Sequence, residues 1–172
     1  MKKRITGILL IFYIIILIII AVPAMAAESG VCGDNLTWIL DDSGTLTISG
    51  TGDMTDWFSP LSPWCYNDNI KNVNISHGVT NIGSDAFDSC TNLLNVNIPD
   101  SVTIIGDGAF YGCSSLTNMN IPNSVTLIGD YAFCDCSNLL SVNIPYSITI
   151  IGNGAFHDCS HIENLYVTDL TS

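Results

Sequence analysis

Apolar and polar residues alternate in short segments that recur every 23 residues through the second half of the chain. In residues 93–98, Val96 and Ile98 are apolar and Asn97 between them is polar, a pattern that predicts a strand with one buried face. The same pattern occurs in residues 70–75, 116–121, 139–144 and 162–167. A proline follows three of these segments and has no N–H to donate, so we expect the strand to end there.

A second short apolar segment follows each strand and ends at a glycine, for which we predict positive φ in a tight turn. The next position is always Ser, Asp or Asn, which are favoured at helix N-caps, and an Ala-Phe pair comes soon after it. We therefore predict one short helical turn in each copy, with the phenylalanine in the core. The glycines are Gly83, Gly106, Gly129 and Gly152, and the predicted caps are Ser84, Asp107, Asp130 and Asn153.

Four full copies of the unit begin at Val79, Val102, Val125 and Ile148, and a half copy precedes them. Thr, Gly, Ala, Phe and Cys each occupy one position in all four copies. One copy buries about seven apolar side chains at roughly 1.5–3 kcal/mol each, while ordering its backbone costs about 1–2 kcal/mol per residue. A single copy is therefore unstable alone, and the sequence predicts a repeat solenoid of stacked coils.

The pattern L-x-x-V-x-I-P, followed by V-x-x-I-G-x-x-A-F-x-x-C-x-x-L, resembles the BspA-like class of leucine-rich repeat proteins from bacterial and some protist surfaces. The resemblance covers residues 70–168, and residues 32–38 and 44–52 are similar to the amino-terminal part of exported members from Gram-positive gut bacteria. It implies a right-handed β/α leucine-rich repeat solenoid with parallel strands on a concave side and short helical turns. It also implies adhesion or surface recognition, and it transfers no catalytic residues.

The chain divides into three predicted regions. Residues 1–26 have a basic start, a long apolar run and a small-x-small pattern at residues 24–26, which together indicate a cleaved signal peptide. An uncleaved membrane anchor is the alternative, because the apolar run is just long enough to span a bilayer. Residues 27–69 are expected to form a capping region with a β-hairpin, and residues 70–172 the solenoid. The aromatic residues of the capping region either shield the first coil, which we favour, or form a platform for carbohydrate.

Charge limits the possible partners. Without residues 1–26, the chain has one basic residue, Lys71, against sixteen Asp and Glu, so its side-chain charge is −15. A chain this acidic repels phosphate, which argues against nucleic acid as a partner. Contact with a membrane is expected only through an uncleaved signal anchor. The predicted location is extracellular, either secreted or at the cell surface.

Seven cysteines in an exported chain raise the question of disulfides. Four of them share one repeat position and point the same way, which suits a disulfide poorly, so we predict buried core thiols. These are Cys90, Cys113, Cys136 and Cys159. Cys32 and Cys65 are the candidate disulfide pair. Cys134 shares its position with Asp, Tyr and His in the other copies and is predicted to be an exposed thiol, able to form an intermolecular bridge.

The outward positions of the predicted strands carry two columns rich in asparagine, which form the candidate binding face. An uncharged strip of amides can hydrogen-bond a glycan or an extended peptide. The alternative is a solvated face whose amides bond to one another. The candidate residues are Asn72, Asn74, Asn95, Asn97, Asn118, Asn120, Asn143, Asn164 and Tyr166.

Two further surfaces have open interpretations. The column of Asn81, Ile104, Leu127 and Ile150 is expected to be buried, although an exposed apolar docking stripe is the alternative. The last predicted strand is expected to present an open edge. That edge indicates either a truncated fragment of a longer protein, which we favour, or end-to-end self-association through an uncapped last coil.

No pattern in the sequence predicts catalysis, a metal site or a cofactor. His157 and His161 lie near Asp158 and Ser160, but nothing places a nucleophile beside an oriented base. Zinc binding by these histidines with Cys134 lacks the usual ligand spacing. The sequence therefore predicts non-enzymatic adhesion to a protein or glycan of a host or neighbouring cell. A structural or spacer fragment of a larger envelope protein is the alternative function.

Overall fold

The computed structural model describes residues 28–59, 61–65 and 67–168, which contain thirteen strands. The predicted signal segment, residues 1–26, lies outside the described residues. Within the described part, no helix has the length and apolar character needed to cross a membrane. The strands are β1 (Glu28–Gly33), β2 (Leu36–Leu40), β3 (Thr45–Gly50), β4 (Gly52–Asp53), β5 (Asn72–Ile75), β6 (Val79–Ile82), β7 (Asn95–Asn97), β8 (Ile104–Ile105), β9 (Asn118–Asn120), β10 (Leu127–Ile128), β11 (Ser141–Pro145), β12 (Ile150–Ile151) and β13 (Asn164–Thr168).

The strands form three sheets, of order β1-β2-β3-β5-β7, β12-β10-β8-β6-β4 and β13-β11-β9. From β5 onward each coil contributes one strand to the first or third sheet and one to the second, and all these pairs are parallel. Paired residues are one repeat apart, as Asn72 with Asn95 and Ser141 with Asn164 show. The repeat unit is therefore one coil of a parallel-strand solenoid, as predicted.

One aromatic ring from each coil stands in a continuous column through the core. Phe87, Phe110, Phe133 and Phe156 stack with successive ring centroids 5.1, 5.3 and 5.2 Å apart and nearly parallel ring planes. Trp64 extends the column, with its centroid 5.7 Å from that of Phe87. The prediction that equivalent phenylalanines line up in the core is confirmed.

The connection after each glycine consists of tight turns, and the described part of the chain contains no helix, so the predicted helical turn is not confirmed. In the first full coil, the N–H groups of Phe87 and Ser89 donate to the carbonyl oxygens of Ala109 and Tyr111 in the next coil, both at 2.8 Å. An α-helix needs such N–H groups for bonds to carbonyl oxygens four residues earlier in the same segment. Bonding between coils therefore takes the place of helical bonding.

The predicted N-cap residues also bond between coils. Asp107 Oδ1 accepts from the N–H of Asp130 at 2.7 Å, and Asp130 Oδ1 accepts from the N–H of Asn153 at 2.6 Å. Asp56 Oδ1 accepts from the N–H of Ser84 at 2.8 Å in the same manner. Asp107 and Asp130 thus use their side-chain oxygens as acceptors, but the bonds join two coils and do not cap a helical turn.

The glycine that recurs every 23 residues is in close contact with the neighbouring coil, and the predicted positive φ is wrong. None of the four has positive φ. A Cβ on Gly83 would lie 2.0 Å from the carbonyl oxygen of Thr55, and one on Gly129 would lie 2.5 Å from the backbone nitrogen of Asp107. Positive φ, between 52° and 66°, occurs later in each turn, at Asp85, Gly108, Tyr131 and Gly154 and at Ser89, Gly112, Asp135 and Asp158.

Three antiparallel strands precede the parallel coils. β1 pairs with β2 and β2 with β3, and β3 then pairs in parallel with β5. Trp38 and Trp64 are buried at this junction, with their rings edge to face and 5.5 Å apart. Trp38 and Trp64 therefore pack against the first coil and are not available as an exposed carbohydrate platform, whereas Phe58 is 79% exposed.

Candidate functional site

The asparagine face lies on the outer surface of β5, β7, β9, β11 and β13. In β5, Val73 and Ile75 are buried in the core, while Asn74 between them is exposed. The same alternation holds in the following coils, because the strands pair one repeat apart. Asn74, Asn95, Asn97, Asn118, Asn120, Asn164 and Tyr166 are exposed, and Asn72 and Asn143 are half-buried. The structure thus brings the nine predicted residues onto one surface.

The amides in the first half of this face bond to one another. Asn95 Nδ2 donates to Asn72 Oδ1 at 3.0 Å, and Asn97 Nδ2 donates to Asn74 Oδ1 at 2.9 Å. Such a ladder fixes the side-chain orientation and leaves each amide with further donor and acceptor capacity toward solvent. This half of the face is therefore preorganised.

The ladder is interrupted in the middle of the face. The first sheet ends at β7 and the third begins at β9. Asn118 Nδ2 donates to Thr117 Oγ1 at 3.1 Å within its own coil, and Asn118 Oδ1 accepts from Ser141 Oγ at 2.7 Å. Asn143 Oδ1 is buried and accepts no hydrogen bond within the described part of the chain. The amides in the second half of the face therefore make fewer hydrogen bonds to one another than those in the first half.

Two exposed leucines border the asparagine face and were not among the predicted residues. Leu94 and Leu140 are 45% and 40% exposed and directly precede outward positions of β7 and β11. Lys71 and Glu163 occupy the equivalent position in the first and last coils. A column that accepts charged residues must face solvent, so this was the signal in the sequence that could have found the leucines.

The apolar column on the second sheet is partly exposed, so the expectation of burial is wrong. Ile104 is 38% and Ile150 is 55% exposed, and Leu127 is half-buried. The inward partner in each short strand is the next residue, such as Ile105, which is fully buried. Because strand residues alternate between faces, Ile104 has to point outward.

Cys134 is not the exposed thiol that the sequence predicted, since only 5% of its surface is accessible. Its neighbours in the same column are Tyr111 and His157, whose side chains are much larger than a thiol and flank it from both adjacent coils. Burial raises the pKa of the Cys134 thiol, and the nearby Asp135 and Asp158 raise it further. An intermolecular bridge through this thiol is therefore disfavoured.

The predicted disulfide between Cys32 and Cys65 is absent from the structure. Cys32 is a free thiol, 1% exposed, in β1. Trp64 is part of the aromatic column, and this places the adjacent Cys65 beside the Cys90 thiol, whose pKa it helps to raise. Cys65 therefore lies beside Cys90 of the first full coil.

Three cysteines of the repeat column, Cys90, Cys113 and Cys136, are buried core thiols as predicted, whereas Cys159 in the last coil is half-buried. The Sγ–H groups of Cys113, Cys136 and Cys159 donate to the carbonyl oxygen of a phenylalanine in the preceding coil, at 3.2, 3.1 and 3.0 Å. Burial raises the pKa of Cys90 to about 12 and that of Cys159 to about 11. The nucleophilic thiolate is therefore suppressed at neutral pH.

The two histidines of the last coil are exposed, and each contacts a different group. His157 Nδ1 lies 3.1 Å from the carboxylate of Asp158, and His161 Nδ1 lies 2.5 Å from the carbonyl oxygen of Ser137. Among the described residues, no three His, Cys, Asp or Glu side chains are grouped to hold a metal ion. With Cys134 buried, the structure does not assemble these histidines and Cys134 into a ligand set.

Parallel coils with a column of core phenylalanines and an outward strand face define a leucine-rich repeat solenoid, a class that typically acts as a non-enzymatic scaffold for interactions. The model of the BspA-type leucine-rich repeat region matches residues 62–172 as six copies, and the chain belongs to this family. No curated protein matches the chain.

Three solved structures illustrate the likeness. A leucine-rich repeat protein from Eubacterium ventriosum has 30% identity and a TM-score of 0.66, over 84% of this chain and 45% of that one. A leucine-rich repeat protein from Bacteroides capillosus has 26% identity and a TM-score of 0.55, over 83% of this chain and 100% of that one. A leucine-rich cell surface protein from Faecalibacterium prausnitzii has 23% identity and a TM-score of 0.60, over 81% and 40%, and shares the fold. This chain spans less than half the length of the first and third.

Proposed function

We propose that this chain is a non-enzymatic recognition module outside the cell, which binds a protein or glycan of a host or neighbouring cell through its asparagine face. The observation that carries this proposal is the arrangement of the nine predicted residues as one uncharged surface across five strands. Amides offer both donors and acceptors, which suits hydroxyl-rich glycans and the backbone of an extended peptide.

Two observations support an extracellular location. Residues 1–26 carry the signal-peptide pattern, and the similar protein from Faecalibacterium prausnitzii is described as a cell surface protein. A side-chain charge of −15 in the exported part is compatible with adhesion to uncharged or cationic surfaces and not to phosphate-rich ones.

The leucines beside the face give it an apolar component. Leu94 and Leu140 are exposed, directly precede the outward residues of β7 and β11, and are two coils apart. Sugar rings and peptide side chains both present apolar patches between their polar groups. A ligand that spans two or more coils would contact amides and a leucine together.

The proposal is tested by binding of the exported chain to an array of immobilised glycans and extracellular-matrix proteins. The double variant Asn97→Ala plus Asn120→Ala, on both sides of the interruption in the ladder, should lose at least tenfold in affinity. Asn123→Ala removes an exposed amide away from the face and serves as the matched control. Equal binding by the double variant and the wild type would rule out this face.

The second candidate function is a structural or spacer part of a larger envelope protein. It is favoured by the greater length of the Eubacterium ventriosum and Faecalibacterium prausnitzii proteins, of which this chain covers 45% and 40%. The same array discriminates the two functions, because a spacer binds no immobilised component.

A further inference from the structure

One backbone hydrogen bond between successive coils is missing in the middle of the asparagine face. The residue that directly precedes each strand of this face donates its N–H to the carbonyl oxygen of the residue that precedes the neighbouring strand. Four such bonds join, at 2.8–3.0 Å, Lys71 to Gly44, Leu94 to Lys71, Leu140 to Thr117 and Glu163 to Leu140. The fifth, from Thr117 to Leu94, is not made, and within the described residues no other group bonds to the Thr117 N–H or to the Leu94 carbonyl oxygen.

This gap, called the seam below, separates residues 94–97 from residues 117–120. β7 and β9 are the end strands of two different sheets, whereas the same two coils remain paired on the other side of the solenoid, where β8 lies beside β10. Val96, the inward residue of β7, is half-buried, while Val73 and Val142 at equivalent positions are 2% and 0% exposed. The seam therefore opens the asparagine face alone and reaches the edge of the core.

The seam presents one hydrogen-bond donor and one acceptor beside an apolar side chain. The donor is the N–H of Thr117, the acceptor is the carbonyl oxygen of Leu94, and the Leu94 side chain is 45% exposed. The exposed amides of Asn97 and Asn120 flank the seam and do not bond to each other. Backbone groups are strong hydrogen-bonding groups, and leaving them unpaired costs free energy. A ligand therefore gains more from hydrogen bonds at the seam than where the amide ladder already uses these groups.

We propose that the seam is the main subsite of the asparagine face and that it binds a neutral glycan. This inference rests on the proposed function and narrows its ligand to one class. A hydroxyl group both donates and accepts, so one sugar hydroxyl accepts from the Thr117 N–H and donates to the Leu94 carbonyl oxygen. The apolar C–H groups of the same sugar ring then pack against the Leu94 side chain.

Two other ligand classes fit the seam less well. An extended peptide that adds to a sheet needs a row of free N–H and C=O groups along an edge strand. The seam offers one of each, and β7 and β9 are already paired on their other sides with β5 and β11. An acidic glycan is repelled, because the side-chain charge outside residues 1–26 is −15.

Nuclear magnetic resonance of the backbone amides tests the seam directly. In the free chain, we expect the Thr117 N–H to exchange with solvent much faster than the Leu140 N–H, which donates to a carbonyl oxygen at 2.8 Å. Neutral gluco-, galacto- and manno-oligosaccharides are then titrated in, with oligogalacturonates as the acidic counterpart. At least one neutral glycan should shift the Thr117 amide resonance and slow its exchange, and the acidic ones should not.

Two leucine variants provide a matched pair for the same titration. Leu94 and Leu140 precede equivalent strands and are 45% and 40% exposed, but only Leu94 borders the seam. Leu94→Ala should weaken binding of the neutral glycan about fivefold through loss of apolar contact. Leu140→Ala removes the same atoms at a closed junction and should leave the affinity unchanged.

Several results would overturn the proposal. They are a Thr117 N–H as protected as that of Leu140 in the free chain, no neutral glycan that shifts the Thr117 resonance, a preference for acidic glycans, or equal effects of the two leucine variants. Loss of binding to a matrix protein by Asn97→Ala plus Asn120→Ala, without any glycan response at Thr117, would remove the seam subsite and leave the proposed function standing. Glycan binding unchanged in that double variant would remove both.

Discussion

At single positions, contact with the neighbouring coil decides which residue fits. Gly129 is required because a Cβ would lie 2.5 Å from the backbone nitrogen of Asp107 in the preceding coil. Gly112 is different, because its φ is 66° and the nearest atom to an added Cβ, the Cα of Ser89, is 3.7 Å away. Glycine is needed at position 129 because the neighbouring coil leaves no room for a Cβ, and at position 112 because the backbone has positive φ.

These two causes predict different losses of stability. Gly129→Ala must displace backbone of a fixed coil, and we expect it to lower the free energy of unfolding by about 3 kcal/mol. Gly112→Ala has room and meets only the strain of positive φ, so a loss of about 1 kcal/mol is expected. Urea denaturation followed by circular dichroism measures both. Equal losses would mean that the close approach at Gly129 relaxes at little cost.

Sequence reasoning found the glycine column but assigned it the wrong cause. A glycine needed for positive φ and one needed for close contact look the same in a sequence, and only the distance to the next coil separates them. The positive-φ positions escaped notice because they hold Asp85, Ser89 and Tyr131 in some copies and glycine in others. Cys134 was misplaced for a related reason, since its exposure depends on the side chains above and below it.

At the level of elements, the strands were predictable and the turns were not. Alternation of apolar and polar residues is a local property, and it located β5, β7, β9, β11 and β13 within a few residues, whereas β1 was not predicted. The turn after each glycine has helix-favouring residues, but Phe87 and its equivalents donate their N–H groups to the next coil. Bonds to a distant segment override local preference, and sequence patterns do not reveal them.

The aromatic column predicts how core substitutions depend on position. Phe110 is fully buried between two rings, so Phe110→Ala should lower the free energy of unfolding by about 3–5 kcal/mol. Phe156 is half-buried and has a ring on one side, so Phe156→Ala should lower it by roughly half as much. Chemical denaturation of the two variants checks this order. A larger loss at Phe156 would contradict the burial of the column.

At the scale of the whole molecule, stability comes from contacts between successive coils, while a large negative charge opposes compaction. Outside residues 1–26 the chain has one basic residue, Lys71, which cannot balance sixteen acidic ones. The asparagine face is thus an uncharged strip on an acidic molecule. This contrast was visible in the sequence, whereas the interruption of the ladder between β7 and β9 depends on the geometry of the coils.

The excess charge predicts a salt effect on stability. Raising NaCl shortens the Debye length from about 10 Å at 0.1 M to about 3 Å at 1 M, so the urea midpoint should rise. Lys71→Glu makes the chain more acidic by two charges at an exposed position and should increase the salt dependence. A midpoint that is independent of salt in both proteins would show that charge repulsion is unimportant here.

The central claim is that successive coils lie on one another in register. Nuclear Overhauser effects between the phenylalanine rings test it most directly, because successive ring centroids are 5.1–5.3 Å apart. With selectively labelled phenylalanine, we predict contacts between Phe87 and Phe110, Phe110 and Phe133, and Phe133 and Phe156, and none between Phe87 and Phe133. Absence of the three neighbour contacts, or a contact that skips a coil, would contradict the stacked solenoid and the surfaces derived from it.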